Sequence, residues 1–200
     1  MCWHKFSFIA VLIALTAGCV GTPRQDPTSH SWEQHSSGLA ALEQWKMQGK
    51  MAFRNVDHAE SASVTWLQNN ENTEVRLSGP LGFSATTISG DGEVVEVVQA
   101  EETRRYPMSD TTAIFADTGI ELPLHALPYW LKGLPNPQAD IVEQEFLQGQ
   151  LKRLVQSGWV ISYEQYKFFD RYSLPTKLKM RRADTQVRVI MRHWKTESIK

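Results

Sequence analysis

This sequence predicts a mainly β protein with helical insertions, its antiparallel strands curled into a barrel-like sheet. Three observations carry that reading. Apolar and polar residues alternate with a period of two through much of 47–99 and again through 151–191, the pattern of strands with one face buried and one in water. Short polar or glycine-bearing stretches, Asn69-Asn70-Glu71-Asn72 and Gly90-Asp91-Gly92, separate successive runs and make neighbouring strands hairpin partners. Helical spacing is confined to a segment near 32–46 and a region between 110 and 135. The first five strands, joined by short turns, make a meander; a sheet this long tends to curl, curling removes exposed edges, and the total is about nine to eleven strands. With 42% hydrophobic and 22% charged residues among 200, the chain supplies one core and one domain.

Taken in order, residues 1–18 read as an export signal. Lys5 precedes an apolar run from Phe6 to Leu15, which is short for a hydrocarbon core of roughly 30 Å, and Thr16-Ala17-Gly18 supplies small residues before Cys19. The run ending in Leu15-Thr16-Ala17-Gly18-Cys19 resembles the bacterial lipobox, in which the cysteine is lipidated and becomes the first residue of the mature chain. The alternative is an ordinary cleavage site beside a small residue. Cys2, the other cysteine, leaves with the signal, so no internal disulfide is expected. Residues 19–31, rich in Gly, Thr, Pro, Ser and His, read as a tether, and 32–200 as the folded domain. With net charge −1 and no Lys/Arg block, no nucleic-acid footprint is expected, and attachment to a membrane would rest on acyl chains without a polybasic patch.

Trp32, Leu39, Leu42 and Trp45 share one helical face, predicting an amphipathic helix over 32–46 that is weakened near Ser36-Ser37-Gly38. Met47, Gly49, Met51 and Phe53 then alternate, as do Ala62, Val64 and Trp66. Val75 and Leu77 lead into Ser78-Gly79-Pro80-Leu81-Gly82, a tight excursion from the sheet with Leu81 at its tip. Turn tips ordinarily carry polar residues, so Leu81 either folds back onto the sheet or is presented to a partner or lipid. Glu101-Glu102 and Arg104-Arg105 are placed in a solvated turn. Asp110 is a candidate N-cap for 111–118 with Gly119 as the stop, and Pro123 opens a second helical segment that Pro128 shortens or kinks. Gly158 before Trp159 predicts a bulge or bend.

An enzyme is not expected. The six histidines lack metal-ligand spacing, no serine sits in a G-x-S-x-G turn, and Gly90-Asp91-Gly92 is not a dinucleotide loop. No catalytic residue, metal or cofactor is assigned.

Several stretches do resemble a family in order along the chain: Trp32, Gln34, His35, Leu42, Trp45 and Gly49; Gly79-Pro80-Leu81-Gly82; Tyr106; Leu122-Pro123; Trp130-Leu131-x-Gly133-Leu134-Pro135; Gln156-x-Gly158-Trp159; Tyr163; Leu174-Pro175 and Trp194. Together with the Cys19 lipobox they resemble the LolB family of outer-membrane lipoprotein receptors. The resemblance implies an incomplete antiparallel barrel of about eleven strands, covered by helices around a hydrophobic cavity, as in LolA and LolB. It implies a monomer at the periplasmic side of the outer membrane, anchored through Cys19 bearing S-diacylglycerol and N-palmitoyl groups; Val20 in place of Asp after the cysteine fits that destination. Its partners would be a LolA-like periplasmic carrier, the acyl chains of cargo lipoproteins and outer-membrane lipid, with the loop Gly79, Pro80, Leu81 and Gly82 engaging the bilayer. Candidate cavity residues, chosen by alternation or helical spacing, are Met51, Phe53, Val64, Trp66, Val75, Leu77, Ile114, Leu127, Trp130, Leu131 and Trp159. A lipid-anchored scaffold without a cavity is the alternative, separable by acyl-chain binding; soluble LolA shares the barrel but has no counterpart to Cys19.

Overall fold

The computed structural model describes residues 27–79, 85–110, 112–114 and 123–196. Eleven strands form one antiparallel sheet: β1 Gln44–Arg54, β2 Ala59–Asn69, β3 Asn72–Ser78, β4 Thr86–Gly90, β5 Val94–Gln99, β6 Glu102–Pro107, β7 Ile141–Leu147, β8 Gln150–Gln156, β9 Trp159–Phe169, β10 Tyr172–Arg182 and β11 Thr185–Lys195. Their order is β6-β5-β4-β3-β2-β1-β11-β10-β9-β8-β7, so each strand lies beside its sequence neighbour except at one junction. There β1 pairs with β11, joining the first half of the sheet to the second. The barrel is therefore incomplete, with β6 and β7 as its two edges and the connection between them carrying helical turns.

Helix α1 (Pro27–Ala40) precedes the sheet, and α2 (Leu127–Trp130) lies between β6 and β7. The predicted helix over 32–46 is displaced. It begins five residues earlier, inside the stretch expected to be tether, and ends at Ala40, while Leu42 lies in the link and Trp45 on β1. Trp45 satisfies either period, and the ladder to β2, with Gln44 opposite Asn69, decides for strand. Ser36 and Ser37 do not break α1, because their hydroxyls donate to the Glu33 carbonyl at 3.2 and 2.7 Å.

Other expectations shift for local reasons. Glu102 and Arg104-Arg105 belong to edge strand β6 rather than to a turn; cross-strand pairing with β5 supplies the ladder while the side chains stay exposed or nearly so. Pro128 does not kink α2, since it sits in the first turn, where a missing N–H costs nothing. Gly158 forms a two-residue turn with Ser157, at φ 75° and 52°, whose twist suits a hairpin between β8 and β9. Strand β7 carries no sequence pattern, because no residue in Ile141–Leu147 is buried and no alternation results. At Asp110 the expected cap is present, its carboxylate accepting from the Ala113 N–H at 3.0 Å, and 112–114 are helical. Residues 115–122, with Gly119 and Leu122, lie outside the described residues, as do Cys19, Pro80, Leu81 and Gly82.

Candidate functional site: the covered inner face

One face of the sheet is apolar from β5 across the seam to β8, and neither edge strand contributes a buried residue. Along β1, Trp45, Met47, Met51 and Phe53 are buried; along β11, Val187, Val189, Met191 and Trp194 continue the layer across the seam. The eleven candidate cavity residues are all buried. Six of them form a patch in register: Val64 faces Leu77 and Trp66 faces Val75 between β2 and β3, with Met51 and Phe53 next to it on β1. Ile114 joins the same apolar cluster from the 112–114 turn. The remaining four, Leu127, Trp130, Leu131 and Trp159, belong to the α2 segment and β9, with the Trp130 and Trp159 rings 6.4 Å apart.

Polar groups that the sequence did not single out hold the α2 segment over the second half of the sheet. Gln156 on β8 is fully buried, and its side-chain oxygen accepts from Trp130 Nε1 at 2.8 Å and from the Asn136 N–H at 2.9 Å. Its amide nitrogen donates to the carbonyls of Asn136 and Ala139, both at 2.8 Å. Tyr163 on β9 donates to the Trp130 carbonyl at 3.0 Å, and burial raises its phenol pKa far above the usual value. Lys132, 6% exposed, reaches the Leu39 and Leu42 carbonyls at 3.1 and 2.9 Å, fastening the end of α1 to the same segment. Burial pulls its ammonium pKa down to about 8, opposed by nearby Glu43. Gln156 opens the stretch Gln156-x-Gly158-Trp159, but nothing in sequence spacing distinguishes a clamp of this kind from a surface amide.

The first half is braced at its rim. Trp66 Nε1 and the Thr73 hydroxyl both donate to the Gln68 side-chain oxygen, at 3.0 and 2.8 Å. Three indoles, Trp66, Trp45 and Trp194, run across the β2–β1–β11 seam with ring centres 6.2 and 5.2 Å apart. A half-open groove of about 700 Å³ lies at this end of the sheet, between the β2–β3 and β4–β5 turns and the α2 segment. Its floor includes Leu42, Trp45, Leu124 and Tyr129, and its rim carries Glu43, Glu71, Asp91 and Glu93. None of the eleven candidate residues lines this groove; the adjoining Leu42 and Trp45 do. Among the described residues no group of His, Cys, Asp or Glu is arranged to hold a metal, and no helix is long and apolar enough to cross a membrane.

The family profile described as Outer membrane lipoprotein LolB matches residues 43–194. The chain belongs to the LolB family. Curated LolB relatives align along nearly the whole length: that of Pseudomonas fluorescens is 32% identical over 196 residues, covering 94% of this chain and 93% of the relative. That of Stutzerimonas stutzeri is 28% identical over 193 residues, covering 94% of each. Among solved structures, a LolA superfamily protein from Nitrosomonas europaea superposes with a TM-score of 0.52 at 11% identity, over 86% of this chain and 94% of that one. A DUF1329 family protein from Desulfovibrio piger superposes with a TM-score of 0.57 at 8% identity, over the same shares. At such identities these structures speak for the fold alone. LolB membership assigns the chain to the lipoproteins of the outer membrane, in a transport family and not a known class of enzyme.

Proposed function

We propose that the protein is the outer-membrane receptor that accepts lipoproteins from a LolA-like periplasmic carrier and incorporates them into the facing leaflet of the outer membrane. The observation that carries this reading is the continuous apolar inner face of an open sheet, with Met51, Phe53, Val64, Val75 and Leu77 gathered on β1–β3. At about 0.8 kcal/mol per buried CH₂, exposing one long acyl chain to water costs on the order of 10 kcal/mol, so a cargo lipoprotein requires an apolar shelter at every stage. A sheet with two edges can part from its cover to admit a chain, whereas a closed barrel would have to break ladder hydrogen bonds first. Transfer then needs no nucleotide: each acceptor, carrier, receptor and bilayer, binds the chains better than the one before. Methionine suits such a wall, because its unbranched side chain repacks around chains of different length.

In this reading Cys19 carries the diacylglycerol and palmitoyl groups that hold the receptor in the membrane, the residues between Cys19 and α1 give it reach, and it works as a monomer. Leu81, between Gly79-Pro80 and Gly82, enters the bilayer when cargo is released. The test is Leu81→Glu in a reconstituted system with loaded carrier and liposomes. Uptake of cargo from the carrier is expected to remain within about two-fold, while incorporation into liposomes falls at least ten-fold, the penalty of pressing a carboxylate into the interface. Incorporation at the unsubstituted rate would discard the role of Leu81. Failure of an acyl-chain photoprobe to label β1–β3 would discard the shelter and leave a tethered scaffold.

A further inference from the structure

The outer face of the same sheet separates charge in a way that the linear sequence conceals. On several strands a cation meets an anion: Arg76 with Glu74 at 2.6 Å, Arg105 with Glu96 at 2.8 Å, Arg153 with Glu143 at 2.9 Å. Cations gather most densely without such partners at the centre of the sheet, where β1, β11 and β10 lie side by side; Lys46 and Lys195 face each other at the far end of the same seam. Lys50 and Arg54 on β1, Arg188 on β11, and Lys177, Lys179 and Arg181 on β10 occupy neighbouring positions, since Lys50 registers with Ile190 and that with Lys177, Ala52 with Arg188 and that with Lys179, and Arg54 with Gln186 and that with Arg181. One acid stands among them. Glu164 on β9 bonds Lys177 at 2.6 Å and also Lys179, and the two ammonium groups pull its pKa down to about 2. Lys50, Arg54, Arg181 and Arg188 are exposed, and none has a carboxylate partner among the described residues. Six cations against one anion form a patch with no large apolar residue beyond the partly exposed Ile190. An expectation of no polybasic patch fails here, because the period of two and the strand pairing collect on one face what the sequence scatters over 50–54, 177–181 and 188.

We infer that this patch is a second, electrostatic membrane contact, which lays the β1–β11–β10 face against anionic phospholipid headgroups. Two features favour a bilayer over an acidic protein. The patch lacks the apolar anchors that give a protein interface its affinity. It also lies toward one end of the strands: Ser78, the last residue of β3, registers with Ser63 and that with Lys50, so the patch runs from the level where β3 turns toward β4 and beyond. The rim with Glu43, Glu71, Asp91 and Glu93 is at the opposite end, where an anionic surface repels it. A lipoprotein anchored by its acyl chains is already concentrated at the surface, so a weak charged face suffices to orient it, with the acidic rim turned to the periplasm. The inference uses the outer-membrane location and not the transfer step; a failed transfer assay leaves it standing.

The test is acetylation footprinting of the acylated protein in vesicles of phosphatidylethanolamine alone or with added phosphatidylglycerol. Lys50, Lys177 and Lys179 report on the patch, and Lys152 on β8, beside Glu145, is the internal control. Anionic vesicles are expected to slow acetylation of the first three several-fold and leave Lys152 unchanged. Salt near about 1 M, which shortens screening to about 3 Å, should abolish the protection. Replacing the guanidinium groups together, Arg54→Gln, Arg181→Gln and Arg188→Gln, should lower the docked-to-undocked ratio about five-fold each and on the order of a hundred-fold in all. Equal reactivity in both vesicle types overturns the proposal, as does protection that appears only when a soluble acidic protein is added. The lipid and salt comparison on the unsubstituted protein decides the matter without the variant.

Discussion

Gln156→Leu isolates the clamp that holds the α2 segment on the sheet. The side chain is fully buried and makes four hydrogen bonds of 2.8–2.9 Å, to Trp130, the Asn136 N–H and carbonyl, and the Ala139 carbonyl. Each such bond contributes a net 0.5–1.5 kcal/mol, roughly, and a buried partner left unsatisfied costs about 1–3 kcal/mol. Leucine is of similar volume, so little cavity term is added, and the loss should come to about 4 kcal/mol. With a urea slope of about 2 kcal/mol per M, the unfolding midpoint falls by about 2 M. Amide exchange in 131–134 should accelerate at least as much as global exchange, because the segment loses its own tie. Gln156→Glu adds a check on mechanism: an ionised carboxylate faces the Asn136 and Ala139 carbonyls, so the deficit should grow as pH rises through the carboxyl pKa. A midpoint shift of less than about 0.5 M for Gln156→Leu would refute the clamp.

Three further expectations follow from the same geometry. A Cβ at Gly49 would stand 2.0 Å from the Ile190 carbonyl oxygen, at the bulge between β1 and β11, so Gly49→Ala should cost about 2–4 kcal/mol in thermal or urea unfolding and disturb the seam between the sheet halves. Lys132 has a folded-state pKa of about 8 against 10.5 for the free side chain, so between those values the unfolded chain binds the extra proton and stability rises with pH, by about 3 kcal/mol in all; Lys132→Met should lack this rise when unfolding is measured across that range. His35 lies on α1 beside Trp32 and Tyr166, with Nε2 buried and unpaired, and burial lowers its pKa, so stability should fall as pH drops below the free-histidine value of about 6.5; His35→Phe should flatten that limb of the stability profile.

Much of this protein is written in its sequence, because alternation is a local property. Val64, Trp66, Val75 and Leu77 announce their buried face through their spacing alone, and Gly90-Asp91-Gly92 announces a turn, where the Asp91 carboxylate accepts the Glu93 and Val94 amides at 3.1 and 2.9 Å. Where two periods fit, the sequence is silent: Trp45 suited helix and strand equally until the pairing of Gln44 with Asn69 selected one. An element that buries nothing, such as β7, leaves no pattern at all.

Tertiary structure decided what depends on residues far apart in the chain. Gln156 is a clamp only because Trp130 and Asn136, 26 and 20 positions away, arrive within hydrogen-bond distance. The basic face exists only because β1 pairs with β11, which sets Lys50 and Arg188 in adjoining rows although most of the chain lies between them. Burial periodicity is set by nearest neighbours along the backbone and can be read from order alone. Hydrogen-bond partners and surface charge are set by which strands pair, and that is fixed only when the last strand pairs with the first.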